Sequence, residues 1–128
     1  MYQSQKALEN VKEIVAENGT IILIASCSEG FGEDVFEQWM ADCHDCEYIS
    51  QKLKKKFVLG DHKAVAVARL LTRAEVLLFS NFNRSETEKM GFKKIEDIQG
   101  YLDSKISQNT KIRINIVPIG RFVRLKKQ

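Results

Sequence analysis

Thr20-Ile-Ile-Leu-Ile-Ala-Ser-Cys-Ser-Glu-Gly-Phe-Gly-Glu-Asp-Val-Phe-Glu-Gln-Trp39 runs from a strand-like segment through a glycine-bearing polar loop into a helical pattern. Thr20–Ala25 shows no polar alternation, so it reads as a strand covered on both faces, as central parallel strands are. In an open α/β sheet such a junction lies where the carboxyl ends of strands meet the starts of helices. Backbone N–H groups there are free to hold an anion.

Upstream of this junction, Ala7, Leu8, Val11, Ile14 and Val15 recur at helical spacing, predicting a helix from about Gln3 to Glu17 that Asn18-Gly19 stops. Downstream, Val35, Phe36, Trp39 and Met40 mark one face of a second helix, and Tyr48, Ile49 and Leu53 mark a third over about Glu47–Lys55. Phe57-Val-Leu59 is a short strand candidate. Asp61 is placed to cap a helix reaching Arg73, apolar over most of its circumference through Ala64–Ala68, Leu70 and Leu71.

Glu75–Ser80 reads as a second central strand. Ser85-Glu-Thr-Glu88 matches the capping-box pattern, and Gly91 ends that short helix. Ile95, Ile98, Leu102 and Ile106 stripe another helix. Ile112, Ile114 and Ile116 alternate with Arg113 and Asn115 as a half-covered strand, and Pro118 and Gly120 precede a last strand at Phe122–Leu125. This alternation predicts the α/β class: a single domain over 1–128 with an open, doubly wound, mostly parallel sheet of about four to five strands and helices on both faces. It gathers Ser26–Gly32, Ser80–Asn83 and Pro118–Gly120 at one rim.

The 128 residues suffice for one domain with a real core. A hydrophobic content of 44% with 29% charged residues is that of a globular chain, and no apolar run approaches the roughly 20 residues a bilayer requires. The amino terminus lacks the apolar stretch of a secretory signal, and three cysteines fit a reducing cytoplasm better than a disulfide scaffold. The expectation is therefore a cytoplasmic protein with no membrane role. The formal charge of +3 is too small, and too poor in interleaved aromatics, for a nucleic-acid face; Lys54-Lys55-Lys56 reads as a solvated helix end.

Within the first loop, Gly30 and Gly32 permit close backbone approach, and Ser26 and Ser28 offer hydroxyls near the helix start. Neither the Walker lysine nor the dinucleotide fingerprint is present, so a glycine-dependent turn explains the pattern equally well. His62 and Lys63 open a helix where a cation opposes the dipole, which points to an anionic ligand or else to a plain surface pair. Cys43-His-Asp-Cys46 has the spacing of zinc knuckles and redox pairs, but it lacks a second ligand pair and falls between two helices rather than after a strand. A coincidental spacing in a solvent-facing loop is the expectation.

Gly19–Gly32, Phe36-Glu-Gln-Trp39, Leu59-Gly-Asp-His-Lys-Ala64, Glu75-Val-Leu-Leu-Phe-Ser80 and Val117-Pro-Ile-Gly-Arg121, taken in order, resemble the carboxy-terminal domain of nickel-dependent lactate racemases. The resemblance covers nearly the whole chain. It implies a part in a two-domain 2-hydroxyacid racemase or epimerase in which a nickel pincer nucleotide takes hydride from the substrate's α-carbon and returns it. In that family the cofactor and the proton-transfer histidines belong mainly to an amino-terminal domain, which this sequence does not contain. The implied role is to close the cofactor cleft, exclude water and contact a small anionic hydroxyacid. Matching the family's motifs, Ser28, Glu29, Gly30, Gly32, His62 and Lys63, with Ser80 on the neighbouring loop, are the candidate substrate- or cofactor-binding residues. The resemblance implies no metal ligand and no catalytic residue in this chain, and an amino-terminal lactate-racemase-like domain or polypeptide as its partner. A stand-alone anion- or nucleotide-binding module is the alternative, followed by a thiol-redox module.

Overall fold

Two parallel strands, β1 (Gly19–Ile24) and β2 (Ala74–Phe79), pair along their full length, Gly19 opposite Ala74 and Ile24 opposite Phe79. A computed structural model describes residues 1, 3–32, 34, 37–38, 61–123 and 125. Its other elements are α1 (Gln5–Val11), α2 (Asp61–Leu71), α3 (Arg84–Lys89), β3 (Lys93–Lys94) and α4 (Ile98–Gln108). β3 pairs parallel to β2 at Leu77 and Leu78, giving the strand order β1-β2-β3 among the described residues.

Side-chain alternation in β2 decides where the core lies. Ala74, Val76 and Leu78 point to one face, where they meet Leu8 of α1 and Ala64, Val67, Ala68 and Leu70 of α2. Phe82, Met90 and Phe92 close the same cluster from α3 and its flanks. Such near-complete burial of a large apolar side chain stabilises by about 1.5–3 kcal/mol relative to exposure. On the opposite face Leu77 is buried, but Ile24 and Phe79, opposite each other at the carboxyl ends, are 64% and 41% exposed.

The α/β class and the parallel pairing expected from the alternation are those observed. Three strands are described, while the expected Phe57–Leu59 strand and the helices around Phe36, Trp39 and Ile49 fall outside the described residues. Other expectations are corrected. α1 is shorter than Gln3–Glu17, giving way to turns after Val11 with Lys12 as its C-cap, so Asn18, at φ 58°, turns the chain into β1 instead of stopping the helix. Ile112–Ile116 joins no sheet, its three isoleucines being exposed, and no strand forms at the described residues of Phe122–Leu125. The third parallel neighbour is β3, too short and too polar to announce itself by hydrophobic pattern. Ile95 precedes α4 rather than lying within it, and its N–H donates to the Leu78 carbonyl at 3.1 Å, carrying the pairing past β3.

The capping box also shifts by two residues. Asn83, not Ser85, caps α3: its side chain accepts from the Glu86 N–H at 2.9 Å while Glu86 accepts from the Asn83 N–H at 2.7 Å. Asn83 has the extended backbone a cap needs, which leaves Ser85 already inside the helix. Gly91, at φ 73°, then turns the chain out of the helix.

Candidate functional site

The exits of β1 and β2 run side by side beyond the strands. Ala25 donates from its N–H to the Phe79 carbonyl at 3.0 Å, and Asn81 donates likewise to the Ser26 carbonyl at 3.1 Å. Two of the loops read from the sequence, Ser26–Gly32 and Ser80–Asn83, are thereby brought to one rim. The third is not: Pro118–Gly120 lies along α1, with the Asn10 side chain donating to the Gly120 carbonyl at 2.9 Å and Ala7 against Gly120. β3 supplies the third tail instead. The Lys94 ammonium reaches the carbonyls of Ser80 at 3.0 Å and Phe82 at 2.7 Å, fixing the β2 exit loop from below.

In the first loop, Gly30 donates from its N–H to the Cys27 carbonyl at 2.9 Å, closing a tight turn whose two end residues have positive φ, as Gly32 just beyond it does. Gly30 and Gly32 adopt this region without steric cost. The turn presents Phe31 to Phe82, ring centroids 4.9 Å apart. Around this aromatic contact opens a cleft of about 460 Å³, edged by the carboxylates of Glu29, Asp34, Glu37 and Glu86.

Of the sequence-predicted residues, Glu29, Gly30 and Gly32 line the cleft, and Ser28 is exposed on the same loop. Ser80 shapes its own loop, its hydroxyl accepting from the Phe82 N–H at 3.2 Å. Lys63 is half-buried in the first turn of α2, which the parallel crossover starts at this rim, but it is not among the cleft-lining residues; the His62 side chain lies outside the described residues. Cys43 and Cys46 lie outside them as well. Sequence reading missed the Phe31–Phe82 contact, the Lys94 clamp and the acidic edge. Only Asn83-x-x-Glu86 carried a signal, as a second capping-box match beside the one at Ser85.

The lining decides what the cleft can hold by itself. Four carboxylates and no described Lys or Arg make it unsuited to an anion unless cations approach from outside. No group of three or more His, Cys, Asp or Glu among the described residues could hold a metal ion. The described donor set therefore fits neither a nickel ion nor the phosphate of a nucleotide. No helix among the described residues is long and apolar enough to cross a membrane.

A parallel sheet with helices and a cleft at the carboxyl ends of its strands defines a domain of the open α/β class. The family described as the lactate racemase C-terminal domain matches residues 1–123, and the chain belongs to that family. It is 23% identical to the lactate racemase of Thermoanaerobacterium thermosaccharolyticum, the alignment covering 100% of this chain and 32% of that protein. The structure of the lactate racemase apoprotein from the same organism superposes with a TM-score of 0.81 at 23% identity, over 99% of this chain and 32% of the other. The chain thus spans about a third of the length of the relative it matches.

Proposed function

We propose that this chain serves as the cleft-closing C-terminal part of a lactate-racemase-like 2-hydroxyacid racemase or epimerase and is inactive by itself. The observation that carries this reading is the rim cleft: shaped by two fixed loops, yet edged by carboxylates rather than by the cations an anionic hydroxyacid needs. A surface of this kind is half of a site. The opposing half would bring the cations, the acid–base groups and the family's nickel pincer nucleotide, whose chemistry when bound is to accept and return hydride. This chain's own contribution is to exclude water at the Phe31–Phe82 contact and to offer Ser28 and the backbone around Gly30 and Gly32 to whatever the cleft encloses, with the start of α2 near His62 and Lys63 facing the joined site from the same rim rather than from the cleft lining. The match to a third of a lactate racemase supports the same division of labour.

The test is a fusion in which this chain replaces the matched third of the T. thermosaccharolyticum lactate racemase, produced in cells that supply the family's cofactor. Interconversion of D- and L-lactate, followed by chiral chromatography, is expected from the fusion and not from the chain alone. A folded, cofactor-loaded fusion without racemisation of lactate or of other 2-hydroxyacids would overturn the reading.

A further inference from the structure

Beyond Asp103 the sequence contains no Asp or Glu, while Lys111 and Arg121 flank the run Ile112-Arg-Ile-Asn-Ile-Val-Pro-Ile119 and Arg113 lies within it. The run has the period-two, β-branched pattern of a strand. Among the described residues, however, the backbone N–H groups of Arg113–Val117 have no hydrogen-bond partner. Ile112, Ile114, Ile116 and Ile119 are 38%, 44%, 86% and 70% exposed. Both ends are anchored: the Ile112 N–H donates to the Asn109 carbonyl at 3.1 Å beyond α4, and Gly120 is held on α1 by Asn10. A pinned segment with free backbone donors and a row of exposed isoleucines has the form of a strand without its neighbour.

We propose that Ile112–Val117 is a docking strand that pairs with an acid-flanked strand edge in the remaining two thirds of a racemase-like polypeptide. The proposal rests on the functional reading above and names one surface through which the two parts would join. Charge selects the occupant. A parallel, in-register second copy would set Lys111 and Arg113 against the same cations, where like charges destabilise, and an antiparallel copy would offer them no carboxylate, since none lies beyond Asp103. A carboxylate-bearing edge would pair with them, while main-chain hydrogen bonds supply affinity and the isoleucines supply burial. Length agrees, since the relative holds about two thirds of its residues outside the part matched here.

Hydrogen exchange read on the amides of Arg113–Val117 tests this. In the free chain they should exchange at the rate of open backbone. In the fusion described above they should slow by at least about tenfold, and Ile114→Lys with Ile116→Lys should abolish that slowing. Both isoleucines are exposed, so the double variant should leave the free chain's melting temperature unchanged. Equal exchange in chain and fusion, or a fusion that melts as two independent units, overturns the proposal. So does self-association of the free chain that protects these amides, or protection by heparin or anionic vesicles instead of by the fusion. Racemisation by a fusion with these amides open would sink the docking strand and leave the functional reading standing; protected amides without racemisation would do the reverse.

Discussion

The Lys94 ammonium donates to the Phe82 carbonyl at 2.7 Å, so a two-residue strand holds the loop that forms one wall of the rim cleft. The same group reaches the Ser80 carbonyl, and Lys94 is itself half-buried. Replacing Lys94 with Met keeps much of the aliphatic stem but leaves two carbonyls without their donor. The expected cost is about 1–3 kcal/mol, the range for losing a charged donor to partly buried acceptors. Urea denaturation measures it. Unchanged stability would mean that the loop holds its shape without the lysine.

The cap of α3 can be assigned by two substitutions. Asn83→Ala removes the side chain that accepts from the Glu86 N–H and should cost about 1 kcal/mol. Ser85→Ala, at an exposed position inside the helix, should stay within about 0.5 kcal/mol of the parent. The reverse ranking in thermal unfolding would restore the Ser85–Glu88 box.

These two sites mark where sequence reading succeeds and where it fails. Thr20–Ala25 and Glu75–Ser80 were legible because an unbroken apolar run bounded by turn residues has few other uses, and their loops followed as the rim. Asn83 was not, because Asn83-x-x-Glu86 and Ser85-x-x-Glu88 satisfy the same capping pattern and only the extended backbone at Asn83 separates them. Ile112–Ile116 reads as a strand because alternation reports a residue's suitability for a sheet, not the presence of a neighbour. β3 escaped for the opposite reason: two lysines form it, and they are placed by what their side chains reach. The Phe31–Phe82 contact joins separate loops, and no local period encodes it.

Tyr101 offers a stabilising change. Among the described residues its hydroxyl is buried without a hydrogen-bond partner, although the Lys105 ammonium lies 5.4 Å from the ring centroid. Burying an unmatched hydroxyl carries a desolvation penalty that Phe does not incur. Tyr101→Phe should therefore raise stability by about 1 kcal/mol while keeping the ring in place. A loss of stability in calorimetry would show that the hydroxyl has a partner in solution.

The Lys93–Glu75 pair predicts how stability responds to alkali. Lys93 hydrogen-bonds to Glu75 across β3 and β2, and this bond, reinforced by the attraction between the two charges, raises its pKa above the ordinary 10.5. Below that ordinary value both folded and unfolded chains keep the proton, and the pair's contribution is whole. As pH rises, the unfolded chain releases its proton first, so the contribution shrinks and is gone once pH has passed the raised folded value. Glu75→Gln removes the charge and most of the shift. Melting temperatures followed between about pH 9 and 12, the range over which lysines titrate, should therefore fall more steeply for the parent than for the variant, the two curves converging at the alkaline end. At neutral pH the parent should lie above the variant by only a small margin, the margin that closes in alkali, because Lys93 is well exposed and surface ion pairs contribute little there. Parallel curves across the whole range would show that Lys93 titrates as a free lysine.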